Sequence, residues 1–234
     1  MKSIGLIGGM SWESSTLYYQ IINREVARRL GGLHSARFIM NSLDFANIAA
    51  MQRAGDWDGM TGILATAARG LEANGADCIL IGTNTMHKVA PEVAAAVNVP
   101  LLHIADVTAE AIVRSGIDRV ALLGTCFTME QPFYRERLAA RGIECLIPDE
   151  SQRKEIHRVI FEELCRGEIL DSSRRTFLQI IDELAAQGAA GVVLGCTEIP
   201  LLIGAGDTSL PVFDTTELHA LAAVDFALGH AAIN

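Results

Sequence analysis

Two short segments of the sequence each end in a small side chain that could move a proton. Residues 75–84 and 188–197 align without a gap, and each is an apolar run followed by a glycine and then by Thr83 in one copy and Cys196 in the other. A thiol has a reference pKa of about 8.5, which a helix N-terminus lowers, so Cys196 is predicted to be a thiolate base. A threonine hydroxyl needs strong activation to act as a base. The pair predicts a base and an acid on the two sides of one substrate.

The two segments belong to a longer internal repeat. Residues 4–9 resemble residues 120–125, and residues 99–103 resemble residues 210–214, in the same order along the chain and at nearly constant spacing. We expect a duplicated α/β domain, in which a pseudo-two-fold axis would place Thr83 and Cys196 on opposite walls of a cleft. The competing interpretation is that apolar strands ending in glycine look alike in any α/β protein.

The elements that must position these residues follow an alternating pattern. Short runs of Val, Ile and Leu alternate with helical patterns, which is typical of a parallel sheet covered on both faces. The predicted strands are residues 3–7, 37–41, 78–81, 101–102, 120–123, 144–146, 192–194 and 212–213. We expect an α/β fold with a parallel four-stranded sheet in each of two domains, 1–103 plus 214–234 and 104–213. Residues 41–57 are predicted to be irregular, and residues 129–141 to form one helix.

The composition limits the classes of protein that fit. The 234 residues carry a formal net charge of −9, so nucleic acid is excluded as a partner, because phosphate binding needs clustered Lys and Arg. No apolar run is as long as the roughly 20 residues of a membrane helix, and the first residues resemble a strand rather than a secretory signal. We therefore expect a cytoplasmic protein with no membrane partner. The scattered cysteines and histidines have no metal-ligand spacing, so no metal site is predicted.

Three motifs in this order resemble those of a known family. Residues 4–10, the Asn-Thr-x-His segment at 84–87 and the Gly-Cys-Thr-Glu segment at 195–198 are similar to motifs of the aspartate/glutamate racemases, within the Asp/Glu/hydantoin racemase superfamily. Residues 8–14 resemble the L-aspartate/glutamate-specific branch. The resemblance implies an isomerase with two similar Rossmann-like domains, an active site between them and a homodimeric state. It also implies racemisation of an amino acid without pyridoxal phosphate or any other cofactor.

The sequence departs from this family at one catalytic position. In the usual members two cysteines flank the α-carbon, and one removes a proton while the other returns one. The resemblance implies that Cys196 removes the proton from the L-enantiomer, but Thr83 stands where the second cysteine is expected. We therefore predict that Thr83, or a water that it holds, acts on the reprotonating face, and that the reverse step from the D-enantiomer is slow. The alternative is that Thr83 is a turn hydroxyl that caps the following helix.

The remaining site predictions concern substrate binding after the strand ends. Asn84, Thr85 and Thr197 are predicted to hold the substrate α-carboxylate, with help from Thr125, because hydroxyls, amides and helix N-termini bind carboxylates. Asn84, Thr85 and Thr197 could each instead be a helix cap. Met10 follows the first strand and is a candidate substrate contact.

Four further residues have two interpretations each. Gln52 and Arg53 either hold a second, distal carboxylate, since a guanidinium grips a carboxylate with two hydrogen bonds, or are solvated helix residues. Glu198 either orients the substrate ammonium group or tunes Cys196, or is a solvent-facing carboxylate. His87 is more typical of a packing or surface residue than of a functional one.

Two other functions are compatible with one thiol and one hydroxyl. Arylmalonate decarboxylases of the same superfamily keep only the C-terminal cysteine, which protonates the carbanion left by decarboxylation. An amino-acid-binding protein without catalytic activity is the second alternative. Release of carbon dioxide from a disubstituted malonate distinguishes the first, and tight binding without α-hydrogen exchange distinguishes the second.

Overall fold

The structure is a computed structural model and describes residues 1–229, so the last five residues of the predicted segment 214–234 lie outside the described residues. The chain divides into two compact units, Met1–His103 with the residues from His219 onward, and Ile104–Leu218. Whether these units are the independently folding domains expected from the sequence stays a prediction. No helix within residues 1–229 combines the length and apolar character that crossing a bilayer requires.

The first unit contains a three-stranded parallel sheet. Its strands are β1 (Ile4–Gly8), β2 (Phe38–Ser42) and β3 (Cys78–Ile81), and the order is β2-β1-β3. Its helices are α1 (Trp12–Leu30), α2 (Phe45–Ala54), α3 (Trp57–Ala73), a 3-10 helix (Thr85–Val89) and α4 (Ala90–Ala95). The predicted irregular region 41–57 thus contains α2, which Asp44 caps by accepting a hydrogen bond from the Ala46 N–H.

The predicted fourth strand of this sheet is reduced to a single bridge. Leu101 pairs in parallel with Ile79, where the Ile79 N–H donates to Pro100 O at 2.9 Å and the Leu102 N–H donates to Ile79 O at 3.0 Å. Pro100 has no N–H to extend the ladder in one direction, and the chain becomes helical at Ile104 in the other. The first sheet therefore has three strands where the sequence pattern predicted four.

The second unit contains a four-stranded parallel sheet. Its strands are β4 (Arg119–Gly124), β5 (Glu144–Leu146), β6 (Val192–Gly195) and β7 (Val212–Asp214), in the order β5-β4-β6-β7. Its helices are α5 (Ile104–Arg114), α6 (Cys126–Glu130), α7 (Pro132–Ala139), α8 (Glu150–Glu162), a 3-10 helix (Leu164–Arg166), α9 (Asp171–Ala186) and a second 3-10 helix (Ile199–Leu201). They are followed by α10 (Thr215–Leu228). The α/β fold with two parallel sheets is confirmed.

The strand order supports the internal repeat. In each sheet the first strand in sequence lies between the second and the third, and β7 occupies the place that the Leu101 bridge has in the first unit. β3 and β6 are therefore equivalent strands, and each leads directly into one of the two predicted catalytic positions.

Alternating side chains of the central strands build a core on each face of each sheet. In β1, Ile7 packs with α3, whereas Ile4 and Leu6 pack with α1 and α10. In β4, Ala121 and Leu123 face one cluster and Val120 and Leu122 face the other. Burial on both faces explains why these strands are continuous apolar runs, and it makes them rigid supports for the residues after their ends.

The glycine turn after β1 makes a prediction about stability. Gly9 has φ +84°, and a Cβ there would overlap the carbonyl oxygen of Leu43, while its N–H donates to Ser15 Oγ at 2.8 Å. Gly70, within α3, has open space around its Cβ position. Gly9→Ala should lower the free energy of unfolding by about 2–4 kcal/mol, and Gly70→Ala should raise it by about 0.5–1 kcal/mol. Urea denaturation of both variants measures these changes, and equal shifts of the same sign would contradict the packing described.

Candidate active site

Cys196 follows β6 at a point where two strands approach closely. Gly195 pairs with Gly124 of β4, and a Cβ at Gly124 would lie 2.7 Å from Gly195 O. A Cβ at Gly195 would in turn lie 2.9 Å from Leu123 O. Neither position tolerates a side chain, so the glycine before Cys196 is required by strand packing. The Cys196 side chain is only 6% exposed.

Glu198 binds the Cys196 thiol directly. The Cys196 Sγ donates to Glu198 Oε2 at 2.9 Å, and the Thr197 hydroxyl donates to the same oxygen at 3.1 Å. Glu198 is 2% exposed, so its interpretation as a solvent-facing carboxylate is wrong. The chain turns into the 3-10 helix Ile199–Leu201 just after it, and Ile199 packs in the same core cluster as Cys196.

The resting thiol keeps its proton. Burial raises the pKa of Cys196 well above the ordinary thiol range, and the negative charge of Glu198 raises it further. The sequence predicted a lowered pKa from the following helix end, but the helix here is a single 3-10 turn and the nearest ionisable partner is a carboxylate. The Cys196 thiol is therefore neutral near neutral pH and donates its hydrogen bond to Glu198 Oε2.

Cys165 is a neighbour of this pair that the sequence analysis did not single out. It lies in the 3-10 helix Leu164–Arg166, is partly buried and packs against the cluster that contains Cys196. Burial raises the pKa of Cys165, and the charge of Glu198 raises it further. Cys165 in turn contributes to the raised pKa of Cys196, after burial and Glu198. Its 31-residue distance from Cys196 in the sequence gave no signal of this proximity.

Thr83 leaves β3 through a tight turn. The Gly82 N–H donates to Ile7 O at 2.9 Å, which continues the sheet, and the Thr83 N–H donates back to Ile81 O at 2.8 Å. The Thr83 carbonyl accepts a hydrogen bond from His87 Nδ1 at 2.8 Å. Thr83 itself is 9% exposed. Hydrogen bonds thus hold both the N–H and the carbonyl of Thr83. In the repeat, Thr83 is the residue equivalent to Cys196.

The structure brings three other predicted residues to the segment after β3. Asn84 and Thr85 are buried there, and Gln52 of α2 reaches Met86, with Gln52 Nε2 at 3.3 Å from Met86 Sδ. Among the described residues, Asn84 makes no side-chain capping bond to the helix that it precedes.

Arg53 is exposed to solvent, whereas Met10 is buried. Arg53 is exposed although it follows the buried Gln52 directly, because the two side chains lie on different faces of α2. The two residues therefore do not form a matched pair for one carboxylate. Met10 is 3% exposed and packs in the core cluster that also contains Met86.

Thr125 is a helix cap. Its Oγ1 accepts a hydrogen bond from the Thr128 N–H at 3.2 Å at the start of α6, and it also lies 3.2 Å from the Thr128 hydroxyl. Because Gly124 pairs with Gly195, Thr125 and Cys196 follow neighbouring strands of the same sheet edge. The Thr125 hydroxyl therefore caps α6 beside the end of β6.

Comparison with known proteins identifies the family. The family model described as Asp/Glu/Hydantoin racemase matches residues 7–223. The chain is similar to a solved Yersinia pestis protein assigned to the Asp/Glu racemases, with 53% identity, 97% of this chain and 100% of that chain covered, and a TM-score of 0.90. It is also similar to the solved structure of an aspartate racemase homologue from Pyrococcus horikoshii, with 38% identity, coverage of 97% and 100%, and a TM-score of 0.83.

A more distant relative is named for broad specificity. The chain is 24% identical over 175 residues to the broad specificity amino-acid racemase RacX of Bacillus subtilis, covering 75% of each protein. The family match extends over both sheets and over the Cys196–Glu198 pair. The chain therefore belongs to the Asp/Glu/hydantoin racemase family, and the enzyme class that this membership indicates is an isomerase.

Proposed function

We propose that this chain is a cofactor-independent amino-acid racemase acting on L-aspartate, L-glutamate or a related amino acid. In the proposed reaction Cys196 removes the α-proton, and Thr83, or a water that it holds, returns a proton to the opposite face. The observation that carries the proposal is the buried 2.9 Å hydrogen bond from the Cys196 thiol to the Glu198 carboxylate. It gives a thiol with a proton acceptor already in place.

The first step of the proposed reaction ionises the thiol. The proton on Cys196 Sγ moves along the existing hydrogen bond to Glu198 Oε2, which leaves a thiolate beside a neutral carboxyl group. The net charge of the pair stays the same, so no additional charge is created in a buried place, where isolated charges are costly. Glu198 thereby removes the obstacle that its own negative charge and burial set against thiolate formation.

The second step breaks the α-carbon–hydrogen bond. The Cys196 thiolate takes the α-proton and becomes a thiol again, and the electron pair of the broken bond stays on the substrate as a carbanion delocalised into its carboxylate. Hydrogen-bond donors around that carboxylate stabilise the charge as it develops. We assign this task to Asn84 and Thr85, which are both buried directly after β3.

The third step inverts the centre. A proton from the Thr83 hydroxyl, or from a water bound to it, forms the new bond on the face opposite to Cys196, and solvent then restores the proton to Thr83. Glu198 gives up the proton that it received in the first step. One proton has been taken and one returned, so the atoms balance without any cofactor.

The other predicted residues have supporting roles in this proposal. Thr125 and Thr197 use their hydroxyls in bonds within their own segments, so we assign them to shaping the ends of β4 and β6. Gln52 lies beside Met86 and is our candidate for the substrate side chain, whereas Arg53 is exposed and would act on the distal carboxylate only from the surface. Met10 would contribute through packing against Met86.

Two relatives support the proposed substrate class. The similarity to an aspartate racemase homologue at 38% identity favours aspartate, and the likeness to a broad specificity racemase favours a wider set. We also propose a homodimer, as the resemblance to the family suggested, and a cytoplasmic location.

Chiral chromatography after incubation with a panel of L-amino acids tests the proposal. L-Aspartate or L-glutamate should be converted to its D-enantiomer, and both enantiomers should approach equal amounts at equilibrium. The same preparation is assayed for carbon dioxide release from a disubstituted malonate. Release of carbon dioxide without D-amino acid formation would favour a decarboxylase, and binding of L-aspartate without turnover would favour a silent binding protein.

A further inference from the structure

His87 binds the backbone carbonyl of Thr83. We infer that His87 is a positioning residue, which fixes the Thr83 backbone so that the Thr83 side chain is presented for reprotonation. This inference rests on the proposed function. The sequence favoured a packing or surface role for His87, and its side chain is buried.

The hydrogen bond to Thr83 determines which nitrogen of His87 carries a proton. His87 Nδ1 lies 2.8 Å from the Thr83 carbonyl oxygen, and a carbonyl oxygen can only accept, so Nδ1 must be the donor. The His87 N–H also donates to Asn84 O at 3.1 Å. His87 is therefore tied by its ring and by its backbone to the two residues that follow Gly82.

Two further histidines hold the His87 ring in place. The centroid of the His103 ring lies 4.5 Å from the centroid of the His87 ring, and that of the His219 ring lies 5.7 Å from it. Both pairs are edge-on. All three side chains are buried. The ring of His87 therefore has little freedom to rotate away from Thr83.

His219 is itself fixed at both nitrogens. Its Nε2 lies 2.8 Å from Leu102 O and must donate, so its Nδ1 accepts from the Tyr18 hydroxyl at 2.8 Å. Burial lowers the pKa of His219 to about 4, which keeps the ring neutral and this arrangement intact near neutral pH. A continuous set of buried contacts thus runs from Tyr18 through His219 and His87 to the Thr83 carbonyl.

This arrangement has a consequence for only one of the two proton transfers. A shift of Thr83 by about 1 Å is enough to reduce a rate by roughly 10²-fold, because proton transfer depends on alignment. Cys196 follows a strand of the other sheet and is held by Glu198, so removal of the α-proton from the L-enantiomer does not depend on the His87 bond. Loss of that bond should impair reprotonation while leaving abstraction intact.

The test compares two substitutions of His87 in heavy water. His87→Asn can place an amide N–H where Nδ1 lies, whereas His87→Gln places its amide nearer the position of Nε2. With L-aspartate as substrate, His87→Gln should form D-aspartate about 10–100-fold more slowly than the wild type, while α-deuterium still enters the remaining L-aspartate at close to the wild-type rate. His87→Asn should restore much of the D-aspartate formation.

The ratio of deuterium uptake in L-aspartate to D-aspartate formed is the deciding quantity. A merely structural role for His87 would lower both rates together and would overturn the inference, as would an unchanged ratio in His87→Gln. If His87→Gln does not fold, Tyr18→Phe, which removes the hydroxyl that orients His219, should raise the same ratio by a smaller factor, and no change would again overturn it. If the wild type incorporates no deuterium into L-aspartate, the same comparison uses the amino acid that the chiral panel identifies, and absence of uptake from every amino acid of that panel would instead refute the proposed function, and this inference with it.

Discussion

Cys196→Ala should reduce the conversion of L-aspartate to D-aspartate by roughly 10³-fold or more, because it removes the base that acts on the α-proton. Cys196→Ser should lose nearly as much, since an alcohol beside Glu198 is far harder to ionise than a thiol. Polarimetry or chiral chromatography measures the rates. Both variants should fold, because the side chain is small and Glu198 keeps its hydrogen bond from Thr197.

Cys145→Ala is the matched control for this prediction. Cys145 is a partly buried thiol of β5 in the same unit, with a pKa that burial raises to about 12, and it packs against a different core cluster from the one that contains Cys196. Its replacement should leave turnover near the wild-type rate. Turnover retained in Cys196→Ala would show that another base acts or that the activity belongs to a contaminant.

Glu198→Gln should lower turnover by roughly 10²–10³-fold while making the Cys196 thiol easier to ionise. The carboxylate raises the pKa of Cys196 through its charge, so the neutral amide should shift thiol ionisation to lower pH. Turnover nevertheless falls, because the amide cannot take the thiol proton in the first step. These opposite changes separate a proton acceptor from a residue that merely supports the fold.

Alkylation of Cys196 measures how easily its thiol ionises. The rate of iodoacetamide modification at Cys196, followed by mass spectrometry of its peptide, should stay low in the wild type until the pH exceeds the ordinary thiol range. In Glu198→Gln the rise should begin at lower pH. Glu198→Asp keeps the charge on a shorter side chain and should retain more turnover than Glu198→Gln. A rise at higher pH in Glu198→Gln would contradict the electrostatic account.

Much of the fold could be predicted because the strands are unambiguous. Two strands, Cys78–Ile81 and Val192–Gly195, are apolar on both faces. Gly82 follows the first and Gly195 ends the second, and this shared pattern identified them as equivalent strands of the repeat. The helix predicted over 129–141 was wrong near its start. Gln131 is extended because Pro132 follows it, so α6 ends at Glu130 and α7 begins at Pro132.

The parts of the site that escaped prediction depend on tertiary contacts. Glu198 lies two residues after Cys196, but whether it faces solvent or the thiol is decided by the single 3-10 turn Ile199–Leu201. Gln52 and Arg53 were both candidates for the distal carboxylate. Their different exposure follows from α2, whose cap Asp44 was not recognised in the sequence. His219 lies far along the chain from His87, and no local pattern joins them.

The measurement that tests the account most directly is α-deuterium exchange in heavy water from each enantiomer of aspartate. L-Aspartate should take up deuterium much faster than D-aspartate, because Cys196 meets the L-enantiomer with a ready proton acceptor and Thr83 meets the D-enantiomer without one. Thr83→Cys should narrow the difference. Equal and rapid uptake from both enantiomers by the wild type would contradict the assignment of Cys196 and Thr83 to unequal roles.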